Sequence, residues 1–107
     1  MEKDLLEENY EILEHYGIYN QITIWIEEMS ELTKELCKWQ RRYDELDGDL
    51  TSEMLENIKQ ETTDVQVSLD QIKNAIHYAY EEQVENYRYK VERQKKRMEK
   101  NKWFIYG

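Results

Sequence analysis

Proline is absent from these 107 residues, and glycine occurs only at Gly17, Gly48 and Gly107. Without those breakers, long stretches have nothing to stop a helix, and a strand-and-turn architecture lacks the residues its turns need. A single cysteine, Cys37, excludes a disulfide framework and a thiolate metal site. No apolar run approaches the roughly 18–20 residues of a membrane span. The opening MEKDLLEEN is acidic, where a secretory signal would be basic and then apolar. A cytoplasmic protein without a membrane segment is the expectation. Basic side chains are also scarce before residue 88. Residues 1–87 carry 7 Lys/Arg against 22 Asp/Glu, whereas residues 88–107 carry 8 against 2. An acidic body with a basic end suits self-association, a nucleic-acid-binding tail, or a site divided between metal and phosphate.

What is present points to an all-α fold. Nine Tyr and three Trp argue against disorder, but 36% of the residues are charged and only 39% are hydrophobic. At this size one domain, residues 1–107, is expected, near the lower limit for a self-sufficient core. A chain this polar is expected to complete its antiparallel helical bundle by oligomerising.

Four helices are predicted. The first covers residues 3–15 on Leu5, Leu6, Ile12 and Leu13, with Gly17 as C-terminal cap and Asn20 as the next N-cap. The second covers residues 21–43. Its apolar positions Ile22, Trp25, Met29, Leu32, Leu36, Trp39 and Tyr43 follow the spacing of one buried stripe. Asp47-Gly48 marks the turn of the connecting loop, and Thr51 or Ser52 caps the third helix. That helix runs to about residue 79 on Leu55, Ile58, Thr62, Val65, Leu69, Ile72 and Ile76. A fourth, from about residue 80 to 102, turns basic after Tyr87. No Gly or Pro says whether the last two are one bent rod or two pieces.

Within the second helix, IWIEEMSEL places Glu27, Glu28 and Glu31 close together. Acidic pairs three residues apart recur in this chain, so spacing alone does not separate ligands from solvated surface. Angular position says more. At about 100° per residue, Glu28 and Glu31 lie about 70° and 130° from the centre of the predicted stripe. On the third helix Glu61 and Asp64 lie about 60° and 120° from its stripe centre, in the same rotational sense. In an antiparallel pair, equal offsets of equal sense emerge on one face. The two acidic pairs also stand at one height, because their sequence midpoint falls in the reversing loop. Four level carboxylates repel unless neutralised. An all-oxygen set suits Mg²⁺, or Mn²⁺, better than zinc. A di-iron carboxylate bundle would instead want Glu-x-x-His pairs. Here His15 and His77 are preceded three residues earlier by Ile12 and Asn74. His77, beside the third helix's stripe, reads as a partly buried structural histidine.

Glu27-Glu28-x-x-Glu31, a spacer of 29 residues and Glu61-x-x-Asp64 resemble the signature of the all-α nucleoside triphosphate pyrophosphohydrolases. That superfamily includes the MazG-like enzymes, dimeric dUTPases and phosphoribosyl-ATP pyrophosphohydrolases. The resemblance spans about residues 16–76, and the spacer is at the long end. It implies that Glu28, Glu31, Glu61 and Asp64 bind Mg²⁺, with Glu27 an accessory acid orienting a water. It further implies cleavage between the α- and β-phosphates of a nucleoside triphosphate, and a homodimer or homotetramer.

Asn86, Lys90, Arg93 and Arg97 share one face of the fourth helix. Lys90-x-x-Arg93-x-x-x-Arg97 looks like the basic run in the last helix of MazG-like proteins, where it would grip the β- and γ-phosphates. A plain solvated basic face fits the same residues. Lys95, Lys96, Lys100 and Lys102 are expected to face solvent. Trp25, one turn before Glu28, is placed either to stack on a nucleobase or to join the core. Trp39 and the run Trp103–Tyr106 are expected to pack against another element or subunit. The rival to an enzyme is a helical interaction protein whose basic C-terminal helix binds nucleic acid or a partner protein.

Overall fold

The computed structural model describes residues 2–106, with side chains to residue 101, and is all-α. Among the described residues four helices follow one another: α1 (Lys3–Tyr16), α2 (Ile18–Arg41), α3 (Ser52–Ala75) and α4 (Tyr80–Tyr106). None is long and apolar enough to cross a membrane. The expected packing of Trp103–Tyr106 and the exposure of Lys102 lie outside the described side chains. The chain divides into two compact units, residues 1–76 and 77–107.

In the first unit α2 and α3 form the principal contact and α1 packs against both. Gly17 ends α1 and begins α2 at φ +84°, a conformation that costs glycine little. Asn20 is therefore not an N-cap. It already lies inside α2, and its side-chain amide donates to the Tyr16 carbonyl at 2.8 Å. α2 stops at Arg41, two residues short of the expected end. The turn at Asp47 (φ +55°) and Gly48 (φ +82°) reverses the chain as expected. Trp39 closes this loop, its indole N–H donating to the Gly48 carbonyl at 3.3 Å. Thr51 Oγ1 accepts from the Met54 N–H at 3.1 Å and caps α3.

The seam between α2 and α3 is not the stripe the apolar spacing predicts. On α2 the buried or half-buried line is Gln21, Trp25, Glu28, Leu32, Glu35 and Trp39. On α3 it is Met54, Ile58, Glu61, Val65, Ser68 and Ile72. Both lines are rotated about 40–50° from prediction, toward the acidic side of each helix. Ile22, Met29, Leu36, Tyr43, Leu55, Leu69 and Ile76 are exposed instead. The cause is geometric. Each helix carries an apolar arc wider than one seam, and periodicity alone does not say which edge of the arc meets its own partner.

Gln71 organises the seam's outer end, where α1 joins. Only 3% exposed, it accepts at Oε1 from Gln21 Nε2 (3.0 Å) and Trp25 Nε1 (2.8 Å). Its Nε2 donates to Asn9 Oδ1 at 2.7 Å, and Asn9 Nδ2 in turn donates to the Val67 carbonyl at 3.1 Å. Three helices are thus registered through one amide.

α3 ends at Ala75, four residues before the expected boundary, and Ile76 is its C-terminal cap. His77 sits beyond that end, exposed and at φ +54°, rather than partly buried on α3. α3 and α4 are separate helices, and the break needs neither Gly nor Pro.

Gln71→Met keeps the side chain's volume but leaves the Trp25 and Gln21 donors without their acceptor. Each stranded buried donor costs about 1–3 kcal/mol. Urea unfolding of this variant is expected to show a midpoint lowered by about 2 kcal/mol of stability at unchanged slope.

Candidate metal centre

Glu28 and Glu61 occupy facing positions of the α2–α3 seam, about 20° from the centre of each buried line. Leucine would be the ordinary occupant of either position. With Asp64, one turn along α3, they offer three carboxylate oxygens that all lie within 4.8 Å of one another. Glu28 and Glu61 are half-buried and Asp64 is exposed, so the trio opens to solvent along one edge. The ion pairs among the described residues, Lys38–Glu35 and Arg42–Glu45, leave the trio out.

The electrostatics follow from this crowding. Burial raises the Glu28 carboxyl above the ordinary glutamate range. The charge of Asp64, a hydrogen bond shared with Asp64, and the charges of Glu61 and Glu27 push the same way. Glu61 is raised first by burial, then by Asp64, Glu31 and Glu35, with Lys34 opposing. Both groups resist carrying charge where they stand, and a cation between them would reverse that resistance.

The donor set fits a hard divalent ion: oxygen only, with no nitrogen or sulfur. Neighbouring oxygens around octahedral Mg²⁺ stand about 3 Å apart. The trio is therefore at most about 2 Å wider than such an ion needs. Three protein ligands would leave the other positions to water or to substrate oxygens, as Mg²⁺ sites in phosphoryl-transfer enzymes do.

Of the sequence-predicted residues, the structure brings together Glu28, Glu61 and Asp64. Glu31 is exposed and outside the trio, although close enough to act on Glu61. Glu27 is exposed and is the weakest of the influences on Glu28. Trp25 is 7% exposed and its indole N–H donates to Gln71, which is the core placement of its two sequence alternatives. On α4, Lys90 and Arg97 are exposed and Arg93 is half-buried. Lys90 and Arg93 both lie over the Tyr89 ring, each 5.9 Å from its centre. The Asn86 amide donates to the Tyr78 hydroxyl at 2.6 Å.

One carboxylate escaped the sequence reading. Glu35 is buried in the seam, bonded to Lys38 at 3.0 Å, and its charge reaches Glu61. The available signal was its distance of seven residues from Glu28, which puts both on one line of the helix.

No family model matches the chain, and neither a search of curated proteins nor one of solved structures finds a match.

A carboxyl whose folded-state pKa is raised adds stability below its ordinary value, and that contribution is lost as pH rises through the raised value. Glu28→Gln or Glu61→Gln should accordingly raise the Tm of the metal-free protein at pH 7. The gain should shrink toward zero near pH 4, as thermal melts at both pH values would record.

Proposed function

We propose that the chain is a Mg²⁺-dependent nucleoside triphosphate pyrophosphohydrolase of the MazG-like kind, acting in the cytoplasm as a homodimer or homotetramer. Nucleotide-pool sanitation, or phage nucleotide metabolism, is the corresponding role. The observation that carries the reading is the trio itself. Two helices present carboxylates at facing seam positions, where their mutual repulsion has no structural use. Bound there, Mg²⁺ would neutralise polyphosphate charge and lower the pKa of an attacking water.

In this reading Glu28, Glu61 and Asp64 would hold the metal, and Glu31, exposed nearby, would supply a further carboxylate oxygen. Glu27 accepts a hydrogen bond from the attacking water and orients it. The products are a nucleoside monophosphate and pyrophosphate.

A second reading, a non-catalytic helical protein binding nucleic acid through α4, is favoured by the exposure of Lys90 and Arg97 beside exposed Tyr87 and Tyr89. Binding of that kind would weaken steeply with salt and follow Lys/Arg substitutions in residues 88–102.

A panel of ribo- and deoxyribonucleoside triphosphates with Mg²⁺ tests the proposal. Release of pyrophosphate with monophosphate is expected from at least one nucleotide. Glu28→Gln and Asp64→Asn should each lower turnover beyond the roughly 100-fold typical of losing a supporting group, with helical content retained. Release of orthophosphate, or no turnover across the panel, would reject it.

A further inference from the structure

The apolar residues displaced from the α2–α3 seam are gathered rather than scattered. Positions 18, 22, 26, 29, 33, 36, 40 and 43 form one line along α2 and into the turn after it. None of them is charged, in a chain that is 36% charged. Ile26 is 60% exposed, and Met29, at 37%, is the most covered of the large apolar residues on this line. On α3, Leu55 and Leu69 continue the pattern, and the charges beside them include Lys59 and Lys73. Both exposed lines lie about 70–90° from their seams, in the same rotational sense. They therefore form one face of the hairpin, opposite the side on which Asp64 and Glu31 emerge. A contiguous apolar face of this kind marks an interaction surface.

We propose that this face is the docking surface for the same face of a second copy of the chain. Charge selects the occupant. Residues 1–76 carry 19 acidic and 7 basic side chains, so most surfaces of this unit would bring carboxylates together on pairing. The uncharged line does not. A basic segment such as residues 88–102 is disfavoured because Lys59 and Lys73 outnumber Asp70 among the charges flanking the face on α3. Pairing like with like about a two-fold axis is also the commonest closed arrangement. Among the described residues, the buried hydrophobic ones within one copy are Leu13, Trp25 and Met54. A second hairpin would supply the core that one lacks. The surface gives the oligomer of the proposed function a location, but stands apart from the metal reading, since no member of the trio lies on it.

Light scattering on the full chain, with Tm measured across a hundredfold range of concentration, tests this. A mass twice the chain's 13.3 kDa is expected, with Tm rising with concentration as coupled folding and association require. Met29→Glu with Leu36→Glu should yield monomer. If that pair fails to fold, Met29→Ala and Leu36→Ala should each weaken association about tenfold or more, about 1.4 kcal/mol. Tyr87→Glu and Val91→Glu on α4 should leave the dimer intact. A monomeric wild-type chain overturns the proposal, as does a dimer indifferent to changes at Met29 and Leu36. Dissociation by the α4 substitutions would overturn it too, by making α4 the occupant. Loss of Mg²⁺-dependent turnover with the dimer intact would count against the metal reading alone.

Discussion

One buried amide holds the hairpin in register. Gln71 takes hydrogen bonds from Gln21 and Trp25 on α2 and gives one to Asn9 on α1. A sliding of α3 by one turn would break all three at once. Apolar contacts are tolerant of such slips, because one leucine meets another almost as well a turn away. A polar pairing is not, since each displaced donor is stranded without water. The network thus gives specificity where the hairpin has little apolar contact to give strength. Its consequence for the site is direct: Trp25 is one turn from Glu28, so the register that satisfies Gln71 also brings Glu28 level with Glu61 and Asp64.

The same seam explains why so much apolar surface faces outward. Gln21, Glu28, Glu35, Glu61 and Ser68 take positions that a self-contained hairpin would give to leucine. The leucines, isoleucines and methionine they displace occupy the next arc of each helix. An isolated copy with this arrangement buries little, and its excess of carboxylates opposes compactness. The polarity of the inner seam and the apolarity of the outer face are two results of one rotation of both helices.

That rotation also sets what could be read from the sequence. Helix content followed from the missing prolines, the reversing turn from Asp47-Gly48, and the α3 cap from Thr51, because each is a local rule. The antiparallel alignment of Glu28 with Glu61 and Asp64 was legible too, since loop position fixes height and helix pitch fixes angle. The seam was not. Ile22, Met29 and Leu36 satisfy the periodic rule for burial as well as Leu32 does, and only the third dimension separates them. Gln71 and Glu35 were missed because polar residues are read as surface by default. His77 adopts a left-handed conformation that its neighbours in sequence do not announce.

Two kinds of polar residue share the α2–α3 seam, and the contrast between them bears on function. At the end near α1, polarity is neutral and self-satisfied: the amides of Gln21 and Gln71 bond each other and an indole N–H. A seam that needed polarity only for register is served by that device. One turn further on, the residues are carboxyl groups, which can only accept when ionised, and they face one another. Glu28 and Glu61 are both pushed toward their neutral forms by burial and by nearby negative charge. Glutamines at the same positions would pair without that conflict and hold register equally well. The chain therefore meets its structural need with amides and keeps unsatisfied anions beside them. Under the proposed metal reading, a divalent cation held between these carboxyl groups would make that choice favourable.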